Sequence, residues 1–145
     1  MIGESILAAP WLTEIKKDKA PVYLPEGIWY DFETGEKLVG PKLLDNYPGD
    51  LNKVPVFIGG KGVIILRKDT SQNMAHVYPI SSLPVSYVHH FGENKRDAQI
   101  NVINKGLGTP KVLGKSGKEI AFHQDNISGK VSFSISPGTA YNVIF

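Results

Sequence analysis

The sequence predicts an all-β fold, an antiparallel β-sandwich of about ten short strands. Three observations carry that expectation. The 15 glycines and 10 prolines among 145 residues punctuate the chain every several positions, and both residue types disfavour a helix interior. Between the breaks lie short runs rich in β-branched and aromatic residues, several of them alternating apolar and polar, as half-buried strands do. No window of about 12 residues carries the 3.6-residue apolar stripe of an amphipathic helix.

The elements follow in order. Ser5 to Leu12 is a mostly apolar run. Ala20 to Leu24 and Ile28 to Phe32 flank Pro25-Glu26-Gly27, expected to be a tight turn because Pro presets φ and Gly accepts positive φ. Trp29 with Phe32, or Tyr30 by alternation, is expected to fill a core, and Asp31 with Thr34-Gly35 to make the next turn. Glu36 to Asn52, with Gly40, Pro41, Pro48 and Gly49, reads as an exposed connection. Val54 to Ile58 and Val63 to Leu66 surround Gly59-Gly60-Lys61-Gly62, a hairpin-like break. Polar Lys68 to Asn73 is the expected boundary between sub-sheets, giving domains of residues 1–70 and 71–145. Ala98 to Val102 and Val131 to Ser136 alternate strictly, the mark of one buried and one wet face. Lys118 to Phe122 and Tyr141 to Phe145 are further strand candidates.

Composition narrows the function classes. A hydrophobic fraction of 41% with 21% charged residues is that of an ordinary globular domain. The absence of cysteine removes disulfide scaffolds, thiol catalysis and cysteine-ligated metals. Sixteen cations against 14 anions, with arginine only at positions 67 and 96, lack the clustered excess of a nucleic-acid binder. The densest run, Lys16-Lys17-Asp18-Lys19, reads as a solvated turn. No apolar run reaches the roughly 18 residues that span a bilayer, so no membrane partner is expected. No basic n-region with an apolar core follows Met1, which favours a cytoplasmic location.

Chemical motifs are sparse. His76, His89, His90 and His123 show no ligand spacing, and neighbouring strand residues such as His89 and His90 face opposite ways; no metal and no other cofactor is expected. Gly114-Lys115-Ser116 has Thr109 where a phosphate loop needs glycine, and Gly117 where its helix should begin. No nucleophile-elbow pattern occurs. Asn126-Ile127-Ser128 is a glycosylation sequon. Trp11, Trp29 and Tyr30 are candidates for stacking on a sugar face, although clustered strand aromatics are more often core.

Three ordered blocks add a resemblance. Val22 to Glu36, VYLPEGIWYDFETGE, resembles the "VYLPEG-WYDFWTGE" strand that opens the C-terminal β-sandwich of glycoside hydrolase family 31, the α-glucosidases and α-xylosidases. Gly3 to Pro10 is similar to the family's "GD-LLVAPV" at the barrel exit. Leu51 to Ile58, with Gly60 and Val63 to Leu66, is similar to "PLDKIPVFVRGGSIIPL", though Gly59 stands for the usual Arg and Ile65 for the usual Pro. The family's "YEDDG" segment has only a faint echo in Phe91-Gly92-Glu93-Asn94. The resemblance implies a proximal C-terminal sandwich of such a glycosidase in residues 1–70, with residues 71–145 completing it or forming a reduced distal sub-domain. It implies a catalytic (β/α)8 barrel as partner, in cis or as a separate chain. The family's two catalytic aspartates lie on that barrel, so no catalytic residue is expected here and the chain alone is expected to be inactive. The alternatives are a stand-alone carbohydrate-binding module and a subunit of a split α-glucosidase.

Overall fold

The computed structural model describes residues 2–10, 19–48, 53–69, 72–106 and 108–145. They are all-β, with twelve strands in three four-stranded sheets. The chain divides into two compact units, Met1–Gly60 and Lys61–Phe145. Trp11 and Lys16 to Asp18 lie outside the described residues.

The first unit holds β1 (Ile6–Ala8), β2 (Lys19–Asp31), β3 (Lys37–Pro48) and β4 (Val56–Ile58), in the order β1-β4-β2-β3. Two expectations are corrected here. Pro25-Glu26-Gly27 does not reverse the chain; β2 runs through it with a register shift between Leu24 and Gly27. The irregularity changes the parity of the strand. Leu24 and Trp29, five positions apart, therefore share one core with Val22, Leu38 and Phe57. Glu36 to Asn52 is not a loose connection, because Lys37–Pro48 pairs with β2 along most of its length. Its alternation was hidden by Gly40, Pro41 and Pro48, which an edge strand tolerates. Gly40 is required there: a Cβ would meet the Pro25 carbonyl oxygen at 1.8 Å.

The second unit is a two-sheet sandwich. One sheet has the order β10-β11-β6-β5, from β5 (Val63–Arg67), β6 (Asn73–Val77), β10 (His123–Gln124) and β11 (Val131–Ile135). The other has the order β7-β8-β12-β9, from β7 (Val85–His89), β8 (Ala98–Ile103), β9 (Lys111–Gly114) and β12 (Ala140–Ile144). Val77, Val131 and Phe133 of the first sheet and Ile100, Val112, Tyr141 and Val143 of the second form one core. Pairing is antiparallel except between β12 and β8, where β12 inserts beside β8 in parallel.

Three further readings are revised. Val54–Ile58 and Val63–Leu66 do not form a hairpin: β4 pairs with β1 and β2, whereas β5 pairs with β6. The glycines between them answer to close approach, since a Cβ on Gly59 would sit 2.5 Å from the Trp29 ring. No sub-sheet boundary separates Lys68 from Asn73, because β5 and β6 pair with each other and the Lys68 amide donates to the Gln72 carbonyl at 2.9 Å. Lys118–Phe122 forms only an isolated bridge, Leu113 with Glu119.

Candidate functional site

The most built-up polar feature of the first unit lies where β2 ends. Asp31, only 4% exposed, opens the turn that leads to β3. Its Oδ1 accepts from the backbone amides of Glu33 (2.8 Å) and Thr34 (3.1 Å). The Gly35 amide donates to the Asp31 carbonyl, and the Asp31 amide donates to Glu36. Gly35 takes φ +76°, which closes the turn at no steric cost. From β3, the Tyr47 hydroxyl donates to Asp31 Oδ2 at 2.5 Å. The Tyr47 ring packs edge-on against Phe57 with centroids 5.2 Å apart. Burial, then the hydrogen bond and charge of Asp31, push the Tyr47 hydroxyl well above the ordinary tyrosine range.

A cleft of about 630 Å3 lies beside this pair, lined by Asp31, Phe32, Glu33, Tyr47, Lys53 and Val54 among others. A smaller one of about 360 Å3 shares Asp31, Tyr47 and Pro48. At the rim, Lys53 Nζ donates to Glu33 Oε1 at 2.6 Å. Phe32 is 43% exposed, so it is rim rather than the core residue expected. Chemically, the carboxylate inside the cleft is committed to holding a turn, and the carboxylate at its edge is paired with a lysine.

The sugar-stacking candidates are placed as follows. Trp29 is 3% exposed and Tyr30 is 2% exposed. Trp29 sits in the core, and its Nε1 donates to the Pro25 carbonyl at 2.8 Å. Neither ring presents a face to solvent. Trp11 is outside the described residues. The structure does not gather the histidines. His76 Nδ1 lies 2.8 Å from Ser132 Oγ, His89 packs edge-on against Phe91, and His90 Nδ1 lies 2.9 Å from Asp97 Oδ1. No group of three or more metal-ligating side chains occurs among the described residues. No helix among them is long and apolar enough to cross a membrane. In the sequon, Asp125 Oδ1 accepts from the amides of Ile127 and Ser128 and from Ser128 Oγ, and Ser128 is buried. Gly114-Lys115-Ser116 forms a reverse turn in which the Gly114 amide donates to the Lys118 carbonyl.

Tyr47 is not legible in the sequence, because Gly40, Pro41 and Pro48 give its strand the composition of a loop. A second polar feature is likewise hidden there, a row of neutral side chains on the outer face of β7, β8 and β12. Its trace was the polar half of the Ala98–Val102 alternation.

Residues 1–65 match the family model of the glycosyl hydrolase family 31 C-terminal domain. More particular likenesses follow. A 1,6-alpha-glucosyltransferase of Sporosarcina globispora is 28% identical over 137 residues, covering 93% of this chain and 10% of that protein. A GH31 alpha-xylosidase of Xanthomonas citri aligns over 90% of this chain and 11% of its own, at 17% identity and TM-score 0.40. The chain thus spans about a tenth of the length of either protein.

Proposed function

We propose that this chain is a non-catalytic accessory region of an α-glycosidase, acting by packing against a catalytic (β/α)8 barrel and helping to fix its shape. The family match over residues 1–65 supports the parentage. The observation that carries the non-catalytic role is the state of the cleft carboxylate. A retaining glycosidase needs one carboxylate free to attack and a second, about 5 Å away, to protonate the leaving oxygen. Asp31 is buried with both oxygens engaged by Glu33, Thr34 and Tyr47, and Glu33 is paired with Lys53. Freeing Asp31 for attack would open the turn between β2 and β3.

The test has two arms. The purified chain is assayed with an aryl α-glucoside and an aryl α-xyloside, and no turnover above buffer is expected. It is also mixed with a family 31 barrel lacking its own C-terminal sandwich, where co-elution and a raised barrel melting temperature are expected. Turnover by the chain alone, lost in Asp31→Asn, would overturn the proposal, as would the absence of any association.

A further inference from the structure

We infer that the outer face of the β7-β8-β12 sheet in the second unit is a binding site for a neutral oligosaccharide. Strand pairing sets Ser86 opposite Asn101, and Asn101 opposite Asn142, so one row of uncharged side chains crosses three strands. Gln99, two residues before Asn101 on β8, joins it on the same face. The four side chains bond one another. Asn101 Oδ1 accepts from Ser86 Oγ and from Gln99 Nε2, both at 3.1 Å. Gln99 Nε2 also donates to Ser86 Oγ at 3.2 Å. Asn101 Nδ2 donates to Asn142 Oδ1 at 3.1 Å.

A carboxamide offers two N–H donors and one acceptor oxygen, and the tally leaves capacity to spare. Among the described residues, both donors of Asn142 Nδ2 and the acceptor Gln99 Oε1 have no protein partner. One end of the row thus offers donors and the other an acceptor, on amides whose rotamers the mutual bonds already fix. Each sugar hydroxyl both donates and accepts, and neighbouring hydroxyls can be met by the two ends of such a row. Fixing the amides beforehand lowers the entropy lost on binding. The apolar C–H side of a sugar ring has a surface to meet as well, because Val88, paired with Gln99, is 47% exposed. Charge complementarity selects the class of ligand. By register, Lys111 is the one charged residue among the strand positions that share this face. The face offers an ionic ligand one cation and a polyol four neutral polar groups.

The choice of a saccharide among polyols rests on the glycosidase parentage; the site itself does not need the barrel contact. The experiment is a titration of the uniformly 15N-labelled full chain followed at side-chain amide resonances. The probes are maltoheptaose, isomaltohexaose and cellohexaose, with polygalacturonate as the charged comparison. The Gln99, Asn101 and Asn142 NH2 signals are expected to shift with at least one neutral probe. That affinity is expected to fall about tenfold in Asn142→Ala and in Gln99→Glu, with backbone signals elsewhere unmoved. Silence with all three neutral probes would overturn the site, as would shifts confined to other strands or a preference for polygalacturonate. Protein docking on this face would appear as that silence. A chain that binds sugar but no barrel keeps this site and loses the accessory role; one that binds a barrel but no sugar does the reverse.

Discussion

Replacing Gly59 by Ala is expected to destabilise the first unit through a collision with one side chain. A Cβ built on Gly59 lies 2.5 Å from Trp29 Cε3 and 2.6 Å from Cζ3. Contacts that short force the indole off its packed position, at a typical overpacking cost of about 1–3 kcal/mol. Trp29 is almost fully buried beside Leu24, Leu38 and Phe57, so Trp29→Ala is expected to cost about 3–5 kcal/mol. A unit of 60 residues has a total stability of about 3–9 kcal/mol, so that variant sits close to complete unfolding, and Trp29→Leu serves as the milder partner. The two substitutions are expected to offset each other. With the indole gone, the new methyl occupies space the ring vacated, and the double variant is expected to be about 1–2 kcal/mol more stable than the sum of the single costs. Urea unfolding read at the backbone amides of residues 19–48 measures all four members of the cycle. Costs that add to within about 0.5 kcal/mol would refute the collision, and an unmoved midpoint in Trp29→Leu would refute the burial.

Three further outcomes are expected. Tyr47 holds its proton more tightly folded than unfolded, so its contribution is complete below the unfolded value near 10 and is lost as pH rises above it; Tyr47→Phe should flatten the alkaline fall in stability of the first unit. Asp31→Asn weakens acceptance from two amides and a hydroxyl and is expected to cost about 1.5–3 kcal/mol in urea unfolding of that unit, more than Glu33→Gln at the exposed ion pair. His76 is held below the ordinary histidine value, first by burial and then by Lys130. The unfolded chain therefore takes up the proton at higher pH, and the second unit should lose stability as pH falls below about 6.5; an NMR titration placing the His76 midpoint above that value would contradict this.

What the sequence disclosed follows from how its signals decay with distance. The alternation of Ala98–Val102 predicted β8, whose residues alternate between core and surface. The same rule gave β11, but not the burial of Ser132, which takes its partner from His76 on the neighbouring strand. That exception depends on a contact 56 positions away, and no local pattern encodes it. Pro25-Glu26-Gly27 carries turn chemistry, yet the chain continues, because the pairing of Gly27 with Gly40 and the Trp29 bond to Pro25 make a bulge the better solution. The Asp31 turn was legible as Asp-x-x-Thr-Gly. Its closure by Tyr47 was not, since the glycine and prolines of β3 concealed a strand. The neutral row is the extreme case: four unremarkable polar residues become a site only when register sets three strands side by side.

The two functional readings rest on different parts of the chain. The family match runs from residue 1 to residue 65 and takes in the whole first unit, Met1–Gly60, but only β5 up to Ile65 in the second. Parentage inferred from the match therefore bears first on the sheet that holds Asp31 and Tyr47; for the sandwich formed by Lys61–Phe145 it enters only in the choice of a saccharide among polyols. That sandwich has its own core, with Val63, Val77, Phe133 and Tyr141 supplied from within it, and its outer neutral row is bonded entirely among its own residues. The amide row and the turn at Asp31 can each be altered by substitutions within its own unit. A substitution such as Asn142→Ala that abolished barrel association, or Asp31→Asn that abolished sugar binding in a folded second unit, would show that the two activities are not separable in this way.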